Sequence, residues 1–391
     1  MYSLRILFFS LPLYFSHVFS PIGVTLGESY SFERYKVYLF LTLLVIAYIE
    51  WLTRYRHRVW DIFCKHAHII LMLLVLPLVS AVYFATPLDI GWLQGSYEKH
   101  HGYLFYTGIV LLFPLLLASS REQIRSYLSW SLYAAIVVTI IAIGEYMWGV
   151  LDIYRRSEMI SAYSGRSVST LGNPNYVAGY LLIFVPLCTW WRVPERWIIL
   201  WLLVLAILTT GSYIGIALVG AYILYSILRY LYISTMGSFI WLSVWVIVGI
   251  YIGSLYLDPD KMGSLMSRFV LMWESIAMML RDPVSLLIWF GPDSLLTHFA
   301  TDRSSIIDAY FPTTSLIDSS HNIVIDILFQ YGIVPLLLIG WYLYRYWYNQ
   351  KGELQSAILL GGIFLVLNVF VVVHIVILGL LMVSYASHTR A

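Results

Sequence analysis

Apolar runs of the length an α-helix needs to cross the hydrocarbon of a bilayer, about 20 residues, recur along this chain almost from end to end. They fall near 3–20, 36–53, 67–86, 102–119, 127–148, 175–190, 196–209, 212–230, 236–257, 322–345, 354–371 and 373–388. Read as helices, they predict an all-α polytopic membrane protein of about twelve transmembrane segments. The residues 196–230 and 354–388 are cramped, so Thr209–Ser212 and the stretch near Val373-His374 are expected to be tight turns or helix breaks. Composition agrees: 60% of residues are hydrophobic and 11% charged, against roughly 25% charged in soluble domains. A water-soluble globule is excluded. Twelve spans use roughly 240 residues of the 391, which leaves too few for a second soluble domain and predicts one transmembrane domain over 1–391. A net charge of +2 gives no basis for nucleic-acid binding, and Cys64 and Cys188 no disulfide framework.

Lys and Arg in short loops set orientation. With the N-terminus inside the cell, Arg5, Arg54, Arg56, Arg58, Lys65, Arg121, Arg125, Arg192, Arg196, Arg229, Arg345, Lys351 and Arg390 all fall on the cytoplasmic side. The remaining cations, Lys36 among them, fall outside, mostly in the long loops 149–174 and 258–321. Both termini are therefore expected in the cytoplasm, with the first run kept as an anchor rather than cleaved as a signal peptide.

The outer loops carry the informative residues. Segment 149–174 ends in Arg166 and Gly172-Asn173-Pro174-Asn175 before an apolar run. Asn173 suits an N-cap and Pro174 the first helical position. A helix N-terminus beside a guanidinium suits a phosphate, although a capped turn with a headgroup-level arginine satisfies the same pattern. The loop 258–321 is expected to hold short amphipathic helices, one over 268–279 lying on the outer membrane face and stopped by Asp282-Pro283. Its Arg268, Arg281 and Arg303 are candidate phosphate contacts, with solvated arginines the plainer reading for the last two. It closes with Asp318-Ser319-Ser320-His321-Asn322, after which Asn322, Asp326 and Gln330 recur at i, i+4 and i+8 on one helix face. Polar groups at membrane depth mark functional sites by default, and His321 at the outer mouth of this stripe can accept a proton near neutral pH. A third outer loop, Gly91–Gly102, holds Lys99 among aromatic and hydrogen-bonding groups. Glu145 and Asn368 read as interhelical hydrogen-bonding groups, and no metal-ligand spacing is present.

Taken in order, Gly-Ser-Tyr-Glu-Lys-His-His-Gly (95–102), Arg166 with Gly-Asn-Pro-Asn (172–175), Thr-Gly-Ser-Tyr (210–213), Ser267-Arg268 with Trp273, Asp282-Pro283, Gly291-Pro292, and His321-Asn322 with Gln-Tyr-Gly-Ile (330–333) resemble the O-antigen ligase superfamily. The resemblance spans roughly residues 90 to 340. It implies a metal-independent, cofactor-free, inverting transfer of a glycan from an undecaprenyl-diphosphate carrier on the outer face of the bacterial plasma membrane. The acceptor is lipid A-core or another glycan. By the same resemblance Arg166 and Arg268 match diphosphate-binding arginines and His321 a base or acceptor-positioning histidine, with Asn173, Asn175, Asn322, Asp318 and Lys99 in support. This chain departs from the pattern twice: Tyr213 stands where many members have arginine, and Lys99 where they often have arginine. The alternatives are a polysaccharide polymerase, whose acceptor is a second lipid-linked repeat, and from another class a flippase or secondary transporter, which would bring internal repeats and charges near the bilayer midplane.

Overall fold

The computed structural model describes residues 1–14, 31–54, 56–84, 93, 101–148, 165–190, 195–230, 259–281, 290–291, 294–301, 304–311, 319–349, 352–366 and 372–386. Among these the protein is all-helical, 89% helix with no strand. The helices are α1 Tyr2–Leu13, α2 Ser31–Arg54, α3 Arg56–Phe84, α4 Tyr103–Ala118, α5 Arg121–Trp148, α6 Pro174–Trp190, α7 Arg196–Thr209, α8 Tyr213–Tyr230, α9 Pro259–Arg281, α10 Ser294–Thr301, α11 Ser305–Tyr310, α12 Ile323–Tyr331, α13 Ile333–Asn349, α14 Glu353–Val366 and α15 Val372–Ala386. By length and composition three can cross a membrane, Tyr35–Arg54, Val59–Val79 and Arg121–Trp148, and seven further apolar helices run 10 to 17 residues. The expected span at 236–257 lies outside the described residues, as do Lys99, Asp318, Arg303, Asn368 and Asp282-Pro283.

Three expectations change. The cation-bearing stretch at 56–65 is the start of α3 rather than a loop. The single helix expected over 322–345 is two, α12 and α13, broken at Gly332, whose φ of 83° only glycine adopts without strain and whose N–H donates to the carbonyls of Ile327 and Leu328. The amphipathic helix expected over 268–279 exists and is longer, but its main apolar face meets protein: Leu271, Met278 and Met279 pack with Leu295, Phe299, Ile307 and Phe329. Thr210–Ser212 breaks the chain between α7 and α8 as expected, whereas Val373 and His374, expected at a break, lie inside the helix Val372–Ala386, and the residues between it and Glu353–Val366 lie outside those described.

Small residues bring the helix backbones close, as in membrane bundles generally. A β-carbon at Gly215 would sit 2.7 Å from that of Ala178, joining α8 to α6, and one at Gly179 would overlap the fully buried Phe364 ring of α14. The main core built this way draws on α1 to α8, α14 and α15.

Two sets of contacts fix which helix ends lie together. At one end the Glu50 carboxylate of α2 accepts from the Tyr2 N–H (2.9 Å), the Ser3 N–H (3.1 Å) and the Ser3 hydroxyl (2.6 Å), capping the positive end of α1. At the other, the segment 167–172, which is not α-helical, meets the last turn of α1, the start of α2, and the C-terminal ends of α5 and α7. Alternation of chain direction through the apolar runs, the basis of the sequence reading, thus gathers Lys36, Glu145, Arg166 and Thr209–Ser212 at one end of the bundle.

Gly179→Ala forces a methyl into the Phe364 ring, and overpacking of this kind costs about 1 to 3 kcal/mol. Thermal unfolding in detergent should show a lowered Tm, partly restored when Phe364→Leu is added. Equal destabilisation in the single and double variants would refute the contact.

Candidate functional site

The segment that carries Arg166 is buried although it is not α-helical, which obliges its backbone polar groups to find partners. Ser167, Val168, Ser169, Thr170 and Leu171 are each buried. The Glu145 Oε2 accepts from the N–H groups of Val168 (2.9 Å) and Ser169 (2.8 Å). From the opposite side, the buried Lys36 Nζ donates to the Thr170 carbonyl at 2.8 Å. Side chains of the segment add ties to neighbouring helices: Ser167 donates to the Ala142 carbonyl (2.7 Å), Ser169 to that of Val138 (3.0 Å) and Thr170 to that of Pro12 (2.6 Å). Ser169 holds a left-handed φ of 44°, and Gly172 at 74° ends the 3-10 turn Ser169–Leu171. Asn173 then accepts the Asn175 N–H at 2.8 Å, and Pro174 opens α6, the arrangement its sequence predicts.

Arg166 itself is half-buried, and its Nε donates to the Thr210 carbonyl at 2.7 Å. The turn that presents this carbonyl passes through Gly211 at φ 57°, where a β-carbon would lie 3.2 Å from Arg166 Nε. Two stretches far apart in sequence, the arginine and Thr-Gly-Ser-Tyr, are therefore one unit in space. Glycine is needed there both for its backbone angle and for the room it leaves.

His321 belongs to a second unit. It is half-buried and holds a left-handed φ of 61°. The buried Asp326 carboxylate fixes the loop before it, accepting from the Ser319 hydroxyl (2.7 Å) and the Ser320 N–H (2.7 Å). Ser319 Oγ in turn accepts the His321 N–H at 3.0 Å. Asn322 caps α12, its Oδ1 accepting from Val324 N (2.9 Å) and Ile325 N (3.3 Å), while its Nδ2 donates to Met272 Sδ of α9 at 3.6 Å. Arg268, half-buried, precedes Met272 by four residues and so shares its face of α9, one turn from that contact.

The structure thus brings Arg268 and His321 onto two packed elements joined at Met272–Asn322, while Arg166 is positioned by the α7–α8 turn. Ile323, beside Asn322, packs against the main core that also contains Leu171 and Val177. Sequence periodicity singled out Asn322, Asp326 and Gln330 as a polar stripe, and Asp326 and Gln330 are indeed buried. What it missed is that Asp326 turns back seven residues to hold the loop that carries the histidine. His101, at the end of the stretch 91–102, is buried and stacked on Phe105 at 4.6 Å. His298 lies against the Phe290 and Phe329 rings, and His374 Nε2 lies 3.0 Å from the Tyr176 carbonyl, tying α15 to α6. Arg281 faces the buried Glu274 at 4.0 Å. Among the described residues no His, Cys, Asp and Glu cluster could hold a metal ion. The sequence matches no protein-family model and no curated protein.

Asp326→Ala strands a buried hydroxyl and amide, each worth about 1 to 3 kcal/mol when left unpaired. Amide exchange at Ser320 and His321 should accelerate and the Tm fall, with Asp326→Asn, which keeps one acceptor oxygen, in between. Unchanged exchange in the alanine variant would show that the carboxylate does not hold the loop.

Proposed function

We propose that this chain is a bacterial plasma-membrane glycosyltransferase of the O-antigen ligase type, with about twelve spans, both termini in the cytoplasm and its site on the outer face. The donor is a glycan on undecaprenyl diphosphate and the acceptor a hydroxyl of lipid A-core or another glycan. The observation that carries this reading is His321. A non-glycine residue in the left-handed region costs of order 1 kcal/mol or more and persists where surrounding structure over-determines it. Here a buried carboxylate and two serines do so, at the point where the arginine-bearing α9 meets α12.

In the reaction the acceptor oxygen attacks the anomeric carbon as the bond from that carbon to the diphosphate oxygen breaks, inverting configuration. The lipid diphosphate departs with the bonding electrons, and the acceptor proton passes to the His321 imidazole. A diphosphate is a good leaving group once its growing charge is met, so cations matter more than a general acid. Arg166 and Arg268 supply that charge. In this proposal the positive end of the α6 dipole adds to it.

His321→Ala should leave expression and insertion intact and reduce transfer in a lipid-linked-glycan assay by roughly 10² to 10⁴-fold, the usual worth of a positioned base. Transfer at the wild-type rate would remove the histidine from the mechanism. Arg166→Lys should lose about 10²-fold, because an ammonium cannot hold Thr210 and present a planar fork to phosphate together; undiminished turnover would make Arg166 an anchor.

A further inference from the structure

The Glu50 end of the bundle holds a cation that the protein leaves unanswered. Arg5 is half-buried on α1, its guanidinium carbon 5.4 Å from the centre of the Tyr2 ring. Its Nε is closed off and has no hydrogen-bond partner. The acid beside it, Glu50, is already committed: its two oxygens take the Tyr2 and Ser3 amides and the Ser3 hydroxyl, and Oε1 faces Arg54 at 3.7 Å. Among the described residues no carboxylate lies within ion-pair distance of Arg5. Below it the surface is aromatic. Phe8 and Phe9 of α1 meet Tyr127 and Trp130 of α5 at 5.6 and 5.4 Å between ring centres, and the Pro12 and Val138 carbonyls accept from the adjacent hydroxyls of Thr170 and Ser169. The two helices therefore run side by side in one direction. Arg5 precedes Phe9 by four residues and stands one turn, about 6 Å, nearer the helix end on the same face. Trp130 in turn meets Tyr133 edge to face at 6.0 Å, and these two with Ile6 are 39%, 55% and 54% exposed.

We propose that the cleft between α1 and α5 binds one anionic glycerophospholipid, its phosphate on the Arg5 guanidinium and its acyl chains along Ile6, Phe9, Trp130 and Tyr133. Three observations support that occupant. The first is charge: the first two turns of α1 and α5 and the last two of α2 carry Arg5, Arg54, Arg121 and Arg125 against Glu50 and Glu122, an excess that an anion offsets. The second is the unpaired guanidinium itself, which stays charged at any relevant pH and whose fork matches the oxygens of a phosphodiester. The third is continuity. A soluble anion would use the arginine alone, whereas here the cation tops an apolar, aromatic cleft on a helix long enough to cross a membrane, Arg121–Trp148. Basic pockets between transmembrane helices of this kind take anionic headgroups, and tryptophan and tyrosine beneath them sit at headgroup level. Because a helical side chain leans toward the helix start, Arg5 reaches outward from its place on α1 toward the phosphates and away from the hydrocarbon.

The test uses the full chain, stripped of lipid in a neutral detergent and offered equal amounts of phosphatidylglycerol and phosphatidylcholine with the same acyl chains. Native mass spectrometry reads which lipid is retained first. The unmodified chain should retain phosphatidylglycerol severalfold over phosphatidylcholine. Arg5→Gln should lose that preference, while Arg196→Gln, which removes a cation from the start of α7 at the same end of the bundle, should keep it. Absence of a preference in the unmodified chain, or its survival in Arg5→Gln, overturns the proposal. Equal loss in Arg196→Gln does so too, since the effect would then be one of total surface charge and not of a site. Inorganic phosphate that displaces the retained phosphatidylglycerol would make this a soluble-anion site and would also overturn it. Should Arg5→Gln fail to fold, Trp130→Ala tests the cleft independently: occupancy by the first phosphatidylglycerol should fall severalfold, and unchanged occupancy refutes the acyl contact. None of these measurements involves glycan transfer, so the lipid site is judged apart from the catalytic reading.

Discussion

A segment buried between α-helices without being one itself is the constraint around which this bundle is arranged. Buried away from water, a stretch such as 167–171 needs partners from the protein for its backbone groups. Two charges of opposite sign supply part of them. Glu145 accepts from the amides of Val168 and Ser169, and Lys36 donates a hydrogen bond to the carbonyl of Thr170, so an anion and a cation grip one three-residue stretch from two helices. Each buried charge is met by backbone groups of this stretch, and an ion left in the interior without such partners costs several kcal/mol. Together with three hydroxyls directed at helix carbonyls, they tie α1, α2, α5 and α7 to one another through a segment belonging to none of them.

That arrangement decides where Arg166 can be. The segment leaves the bundle end beside the α7–α8 turn, and the guanidinium closes onto Thr210 over a glycine that has no side chain to obstruct it. The histidine unit repeats the logic with other parts. A left-handed residue, a buried carboxylate and a serine bridge fix a short non-helical stretch in front of a helix. In both units the side chain of interest is half-buried while the groups that position it are buried. Such an arrangement restricts a side chain's conformations and still leaves it accessible to a ligand.

Much of this was legible from residue order. Apolar periodicity located most helices, the Thr-Thr-Gly-Ser break was required by length, and Asn-Pro after Gly172 announced the cap of α6. Gly332 with Pro335 three residues on was a stop-and-restart signal, but the continuous apolar run around it dominated the reading. Periodicity also could not tell what an apolar face meets, and so Leu271 and Met278 were expected against lipid. Lys36 is the plainest failure. Loop cations are presumed solvated, and only the packing of four helices around Thr170 reveals a partner in the interior. Asp326 was assigned to the correct face, but a contact back to Ser319 depends on how the chain turns before the helix begins, which no periodicity records.

The two cations at this bundle end have different fates for a chemical reason. Lysine is a point charge on a flexible stem, and once Lys36 is buried against a carbonyl its charge serves that contact. Arginine is a planar fork, and holding Nε on Thr210 fixes the plane in which both Nη groups lie. If Arg166 meets a diphosphate as proposed, the enzyme gains a cation whose orientation is set before substrate arrives, so little reorganisation is left for the step in which charge develops. Lysine at 166 would reach the same carbonyl and spend itself there, as Lys36 does.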